Sequence, residues 1–152
     1  MIKIKKSATA DTRTCDFSKV TSDTLLASSV QHIQDVERGI DFIRGKLDEA
    51  GLLHDLDKLV SVDKFHEDFL TGFAKHEWWD NHRKISRHHL QVADGVPEDV
   101  NLMDVLEMIT DCVMAGMARS GNVYPLNVSP ELLKKAFDNT VELLKSEVVV
   151  EE

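Results

Sequence analysis

From Thr21 to Gly51 the chain sets apolar or small side chains at steps of three and four: Leu25, Ser29, His32, Val36, Ile40, Ile43 and Leu47. That spacing lines one face of a helix and does not fit the two-residue alternation of a half-buried strand. Thr21, Ser22 or Asp23 can cap its start, and Gly51 is a natural stop. Gly39 and Gly45 weaken helix propensity inside the run, which leaves room for a break or a close helix contact near them.

The rest of the chain reads the same way. Residues 52–60 (LLHDLDKLV) form a short apolar helix, and residues 62–73 another, with Phe65, Phe69 and Phe73 at i, i+4 and i+8. Residues 75–92 are aromatic and His-rich and fit a helix or an irregular loop. Pro97 and Asn101 introduce a helix to about Arg119, with Leu102, Val105, Leu106, Ile109 and Val113 on its apolar side. After a loop over residues 120–128, Ser129 caps a last helix that has Pro130 at its first position and ends near Lys145. The expectation is an all-α chain. Residues 21–148 make a single domain of about five to six helices, residues 1–20 a short arm that is β-like over 1–6 or disordered, and residues 149–152 a fraying tail.

A chain of 152 residues is long enough for one hydrophobic core. No window approaches a membrane span, and the N-terminus lacks the apolar run of a secretory signal. Cys15 and Cys112 make no disulfide framework, so a cytoplasmic setting is expected. The net charge of −9 argues against coating an extended nucleic acid. It leaves room for a small anionic substrate, because a bound metal ion inverts the local sign.

Seven histidines, six of them from His54 to His89, direct attention to metal chemistry. His32 occupies a ladder position on an otherwise apolar or small stripe, so its ring should point inward. His54-Asp55 stands between leucines, where an ionised carboxylate needs a compensating charge. Asp111 has Met108, Cys112 and Met114 around it and can face the interior; Asp104, and less firmly Glu107, read as a solvated acidic face. Two imidazoles and two carboxylates suit Mn, Fe, Co, Ni or Zn. In HRKISRHH, His82 and His89 are two helical turns apart, with His88 beside them and Arg83, Lys84 and Arg87 between. That segment combines metal ligands with cations for a phosphate; the plainer reading is a solvated basic patch.

The order His…His-Asp…Asp, centred on LLHDLDK, resembles the HD-domain superfamily of metal-dependent phosphohydrolases, in the form where a lysine (Lys58) follows the pair. HDLDKLVSVDKF, HRKISRHH, EMITDC and the later YPL are similar to a small HD-like family of phages and bacteria. Trp78, Trp79, His82, His88, His89, Glu107, Met108 and Asp111 fall on its pattern, and the likeness covers about residues 30–126. It implies a first divalent metal on His32, His54, Asp55 and Asp111. It also implies a second, bridged by Asp55 and completed by His82 and one of His88 or His89. In two-metal members the two added histidines lie farther apart in sequence than they do here.

The resemblance implies hydrolysis of a small phosphorylated molecule, with a nucleotide as the expected partner and a bacterial cytoplasm as the setting if the chain is phage-encoded. Metal-acidified water is the nucleophile in that scheme. Lys58, Arg83, Lys84, Arg87 and Arg119 are the candidate phosphate-binding cations, and Glu107 or an unligated histidine the proton donor to the leaving group. Trp78, Trp79 or Tyr124 can stack on a base, or simply pack. Two other functions fit the same residues: a di-iron oxygenase, and a non-catalytic phage-type protein that binds a nucleotide or another protein and retains the metal. Homo-oligomerisation stays open.

Overall fold

The computed structural model describes residues 1–6, 16–75 and 77–151. Helices dominate these residues, and the all-α class holds. Helix α1 (Ser22–Leu53) is capped by Thr21, whose Oγ1 accepts the Thr24 amide at 3.2 Å. Gly51 does not end it. The helix runs on to Leu53, and the break falls at Asp55, whose φ of 55° and ψ of 18° lie in the left-handed region. Aspartate tolerates that region better than most side chains, because its short carboxylate can bond locally.

Helices α2 (Leu56–Val60) and α3 (Val62–Leu70) follow. The helix expected through Phe73 ends at Leu70, because Gly72 and Phe73 both take positive φ, 64° and 62°. That turn brings the Phe73 ring back to within 6.3 Å of Phe65. Of residues 75–92, helix α4 (Glu77–Ile85) takes the first part and irregular turns the rest. Helix α5 (Leu102–Ser120) starts at a reciprocal capping box between Asn101 and Asp104. Helix α6 (Pro130–Glu147) starts where Ser129 Oγ accepts the Leu132 amide at 3.1 Å.

Strand β1 (Ile2–Lys5) pairs in parallel with β2 (Val148–Glu151), Ile2 opposite Val148 and Lys5 opposite Glu151. Residues expected to fray at the C-terminus thus form a strand, which their run of β-branched valines favours. Residues 7–15 of the expected arm, Cys15 with them, lie outside the described residues.

The chain comprises two compact units: Met1–Gly45 with Leu143–Glu152, and Lys46–Glu142. In the first, the Gln31 side chain donates to the Lys5 carbonyl at 2.7 Å and the N-terminal ammonium pairs with Glu147. In the second, Leu90, Val100, Val105, Met108, Cys112 and Ala136 form a buried cluster. Each large apolar side chain there contributes roughly 1.5–3 kcal/mol. The buried row of α5 is Val105, Met108, Cys112 and Gly116; Leu106 and Ile109, expected on that side, are exposed. Thr140 Oγ1 accepts the Leu102 amide and Asn139 donates to the Val100 carbonyl, which tie α6 to the start of α5. No helix among the described residues is long and apolar enough to cross a membrane.

Candidate metal centre

The left-handed break at Asp55 builds the site. A continuous helix would leave His54 and Asp55 on neighbouring faces; the break ends α1, opens α2 and lets both side chains meet the segment that follows α4. Asp68, buried, accepts the Trp79 amide at 3.1 Å and anchors the start of α4. Trp78 donates Nε1–H to Ser61 Oγ at 2.7 Å and stacks on His82, ring centroids 4.8 Å apart. Irregular backbone at residues 86–90 then lets the adjacent His88 and His89 both turn inward. Gly95 is required beside them: a Cβ there would press into the His89 carbonyl and side chain.

Two groups of donor atoms converge among the described residues. Asp55, His82, His88 and His89 form the first, and His54, His88 and Asp111 the second. In the first, Asp55 Oδ1 lies 3.4 Å from His82 Nε2 and 3.7 Å from His88 Nε2, and His82 Nε2 lies 2.8 Å from His89 Nε2. Donors held at 2.0–2.2 Å by a tetrahedral ion stand roughly 3.4 Å from one another, so one cation fits this group. In the second, His54 Nε2 lies 3.7 Å from Asp111 Oδ1 and also 3.5 Å from Asp55 Oδ2. Asp55 therefore offers one oxygen toward each group. Its Oδ1 is buried and has no hydrogen-bond partner among the described residues, a costly state for an anion unless a cation meets it.

A second layer of carboxylates aims the rings. Glu107 Oε1 accepts Nδ1–H from His54 at 2.9 Å and from His88 at 3.0 Å, and Asp57 accepts Nδ1–H from His82 at 2.8 Å. A carboxylate can only accept, so these bonds place a ring proton on Nδ1 and turn Nε2 toward the donor groups, where His82 Nε2 meets His89 Nε2 at 2.8 Å. Glu107, expected on a solvated face or as a proton donor, is instead largely covered and bonded to both rings. Burial works to raise its pKa, but the bonds from His88 and His54 hold it below the usual carboxylate range, in the ionised form.

Burial likewise works to raise the Asp55 carboxyl, yet the Lys58 ammonium at 2.5 Å leaves it lowered. Burial pushes His82 down, and it pushes His89 down to about 3, helped by His88 and His82. Both rings stay neutral at pH 7 and keep lone pairs for a metal. Between the lowered and the ordinary pKa the unfolded chain binds more protons than the folded one, so stability falls as pH falls through that window. The slope is at most about 1.4 kcal/mol per pH unit for each such histidine. The unfolding midpoint of chelator-treated protein is expected to drop steadily from about pH 6.5 downward; a midpoint that holds flat to about pH 4 would contradict this placement of the rings.

The other expected site residues divide. His32 lies exposed on α1, in the first unit, and is not among the residues of either donor group. His88 and His89 both stand in the first donor group. Arg83, expected as a phosphate-binding cation, pairs with Asp80 and Asp94 at 2.7 Å each. Arg87 is committed to Asp104 and Asp99, and Asp104 is buried rather than solvated. Lys58 is at the centre, while Lys84 and Arg119 are exposed. Trp78 and Trp79 pack on the imidazoles, and Tyr124 packs on the core cluster with its amide bonded to the Cys112 carbonyl. Sequence reasoning missed Asp57 as the partner of His82. Its place two residues after Asp55 is the one available signal. Compared with protein-family models, curated proteins and solved structures, the chain matches none.

Proposed function

We propose that the centre binds one or two divalent transition-metal ions and hydrolyses a small phosphate-containing substrate, in the manner of the HD-type phosphohydrolases. The observation that carries this reading is the buried, unpartnered Asp55 Oδ1 facing the Nε2 atoms of His82 and His88. A bound ion would supply Lewis acidity and make water a nucleophile near neutral pH. The chain's own part is to hold the donors. Asp55, His82, His88 and His89 support one ion, and His54, His88 and Asp111 a second or a more open position. Lys58, paired with Asp55, is the cation at hand for a phosphate oxygen. Arg83 and Arg87 are already neutralised by carboxylates, which favours a single phosphoryl group over a polyphosphate chain.

The test is metal analysis of the purified chain, followed by a panel of nucleoside mono- and triphosphates read for phosphate and pyrophosphate release. Expected are stoichiometric Mn, Fe, Co, Ni or Zn and chelator-sensitive release of inorganic phosphate. Release that is unchanged by chelation would overturn the reading. The nitrogen-rich donor set, four imidazoles with two carboxylates, also supports a di-iron oxygenase. Two bound irons with oxygen uptake and no phosphate release would favour that instead.

A further inference from the structure

The two donor groups of the centre overlap, and the overlap limits what they can hold together. His88 stands in both, but its Nδ1 is committed to Glu107 at 3.0 Å, so Nε2 is the nitrogen left for a metal. A ring nitrogen has one lone pair and serves one ion at a time. An ion among Asp55 Oδ1, His82, His88 and His89 uses that nitrogen and has a four-donor set in which His82 and His88 are buried. A second ion is then left with His54 Nε2, Asp111 Oδ1 and the other Asp55 oxygen, Oδ2, which lies 3.5 Å from His54 Nε2. Three half-buried protein donors make an open position, the kind that also takes water or substrate.

That oxygen already carries a cation. The first turn of α2 begins on the Asp55 carbonyl, which accepts the Lys58 amide at 2.9 Å. The turn brings the Lys58 side chain back over Asp55, where its ammonium meets Oδ2 at 2.5 Å. The two oxygens of one carboxylate therefore stand in opposite states: Oδ1 is buried without a hydrogen-bond partner among the described residues, and Oδ2 is paired. We propose that the Lys58 ammonium competes with the second metal ion for Asp55 Oδ2 and so keeps the centre at one tightly bound ion. A divalent ion on Oδ2 would have to displace that ammonium or sit beside it, and like charges at such a separation, half-shielded from water, repel strongly. The first ion meets Oδ1 instead, opposite His82 and His88. The three-residue spacing from Asp55 to Lys58 thus acts on how many ions the centre holds.

The inference rests on the metal-binding part of the proposed function and not on hydrolysis. Chelator-treated protein is dialysed to equilibrium against a series of buffered free cobalt(II) concentrations, and bound metal is read by mass spectrometry. Wild type is expected to bind one ion tightly and a second only at much higher free cobalt. Lys58→Met should draw the second step to roughly 10–100-fold lower free cobalt, the span over which the partners of a ligand alter metal affinity. The first step should move less. Lys58→Arg, which keeps a charge beside Asp55, should hold the steps apart, and adding His54→Ala to Lys58→Met should abolish the second step; helical circular dichroism checks that each variant is folded. Two wild-type ions bound in a single step would overturn the proposal with no variant involved. So would a folded Lys58→Met protein that still holds one ion, or one in which both steps shift equally. No bound cobalt at all would overturn the metal reading and this proposal with it, whereas the expected steps without phosphate release from any nucleotide would overturn hydrolysis alone.

Discussion

Replacing Asp55 by asparagine is expected to empty the metal centre while leaving the fold in place. Asparagine is nearly isosteric and accepts the left-handed backbone that this position takes, so the break between α1 and α2 survives. What disappears is the charge that both donor groups share, since one oxygen faces His82 and His88 and the other faces His54. Outer-shell substitutions cost metal proteins roughly 10–100-fold in affinity, and loss of a shared ligand should exceed the upper end of that range. Phosphate release should vanish with the metal. Stability of the metal-free protein should move by only about 1 kcal/mol, because the lost Lys58 pair is partly exposed and the unpartnered buried anion is relieved at the same time. Metal content by mass spectrometry and urea unfolding with and without chelator measure both effects. Stoichiometric metal in Asp55→Asn would sink the assignment of this carboxylate as the shared ligand.

The second large effect is expected at Glu107, and it separates a positioning carboxylate from a proton donor. Glu107→Ala leaves the Nδ1–H groups of His54 and His88 without an acceptor, at a cost of roughly 1–3 kcal/mol for each bond. It also frees two rings to turn, so metal affinity should fall by roughly 10–100-fold. Glu107→Gln keeps a carbonyl oxygen able to accept both bonds, and should recover most of the stability and part of the affinity. A proton donor would behave differently. Glu107→Gln would then keep full stability and full metal affinity and lose turnover alone, which is the result that would return Glu107 to the reaction.

The helices and most of their ends were legible because they depend on nearby residues. Asn101, Ser129 and Thr21 cap the helices they precede through bonds that span two or three residues. The clustering of histidines between His54 and His89, and the anomaly of an ionisable pair among leucines, pointed to the centre for an equally local reason. A buried charge needs a partner, whatever the fold around it.

Roles that depend on which side of a helix meets which neighbour were not legible. Asp104 and Glu107 share the helical row that reads as solvated, yet one is bonded by Arg87 and the other by His88, both from the 86–90 turns, with His54 at the break after α1 as a second partner of Glu107. The same contacts take Arg87 away from phosphate binding, and Asp80 and Asp94 take Arg83. His32 shows the converse. Its stripe has the spacing of a buried face, yet Leu25, Val36 and Ile40 along it are exposed and only Ile43 and Leu47 are half-buried. By itself, then, the sequence determined an all-helical chain with caps at named residues and a set of metal donors around His54-Asp55. Tertiary structure alone decided which donors converge, that His88 and His89 both belong, and that Glu107 and Asp57 aim the rings. Spacing fixes the face a residue shares, whereas convergence needs residues far apart in sequence to meet, and at Asp55 that meeting turns on a single left-handed residue.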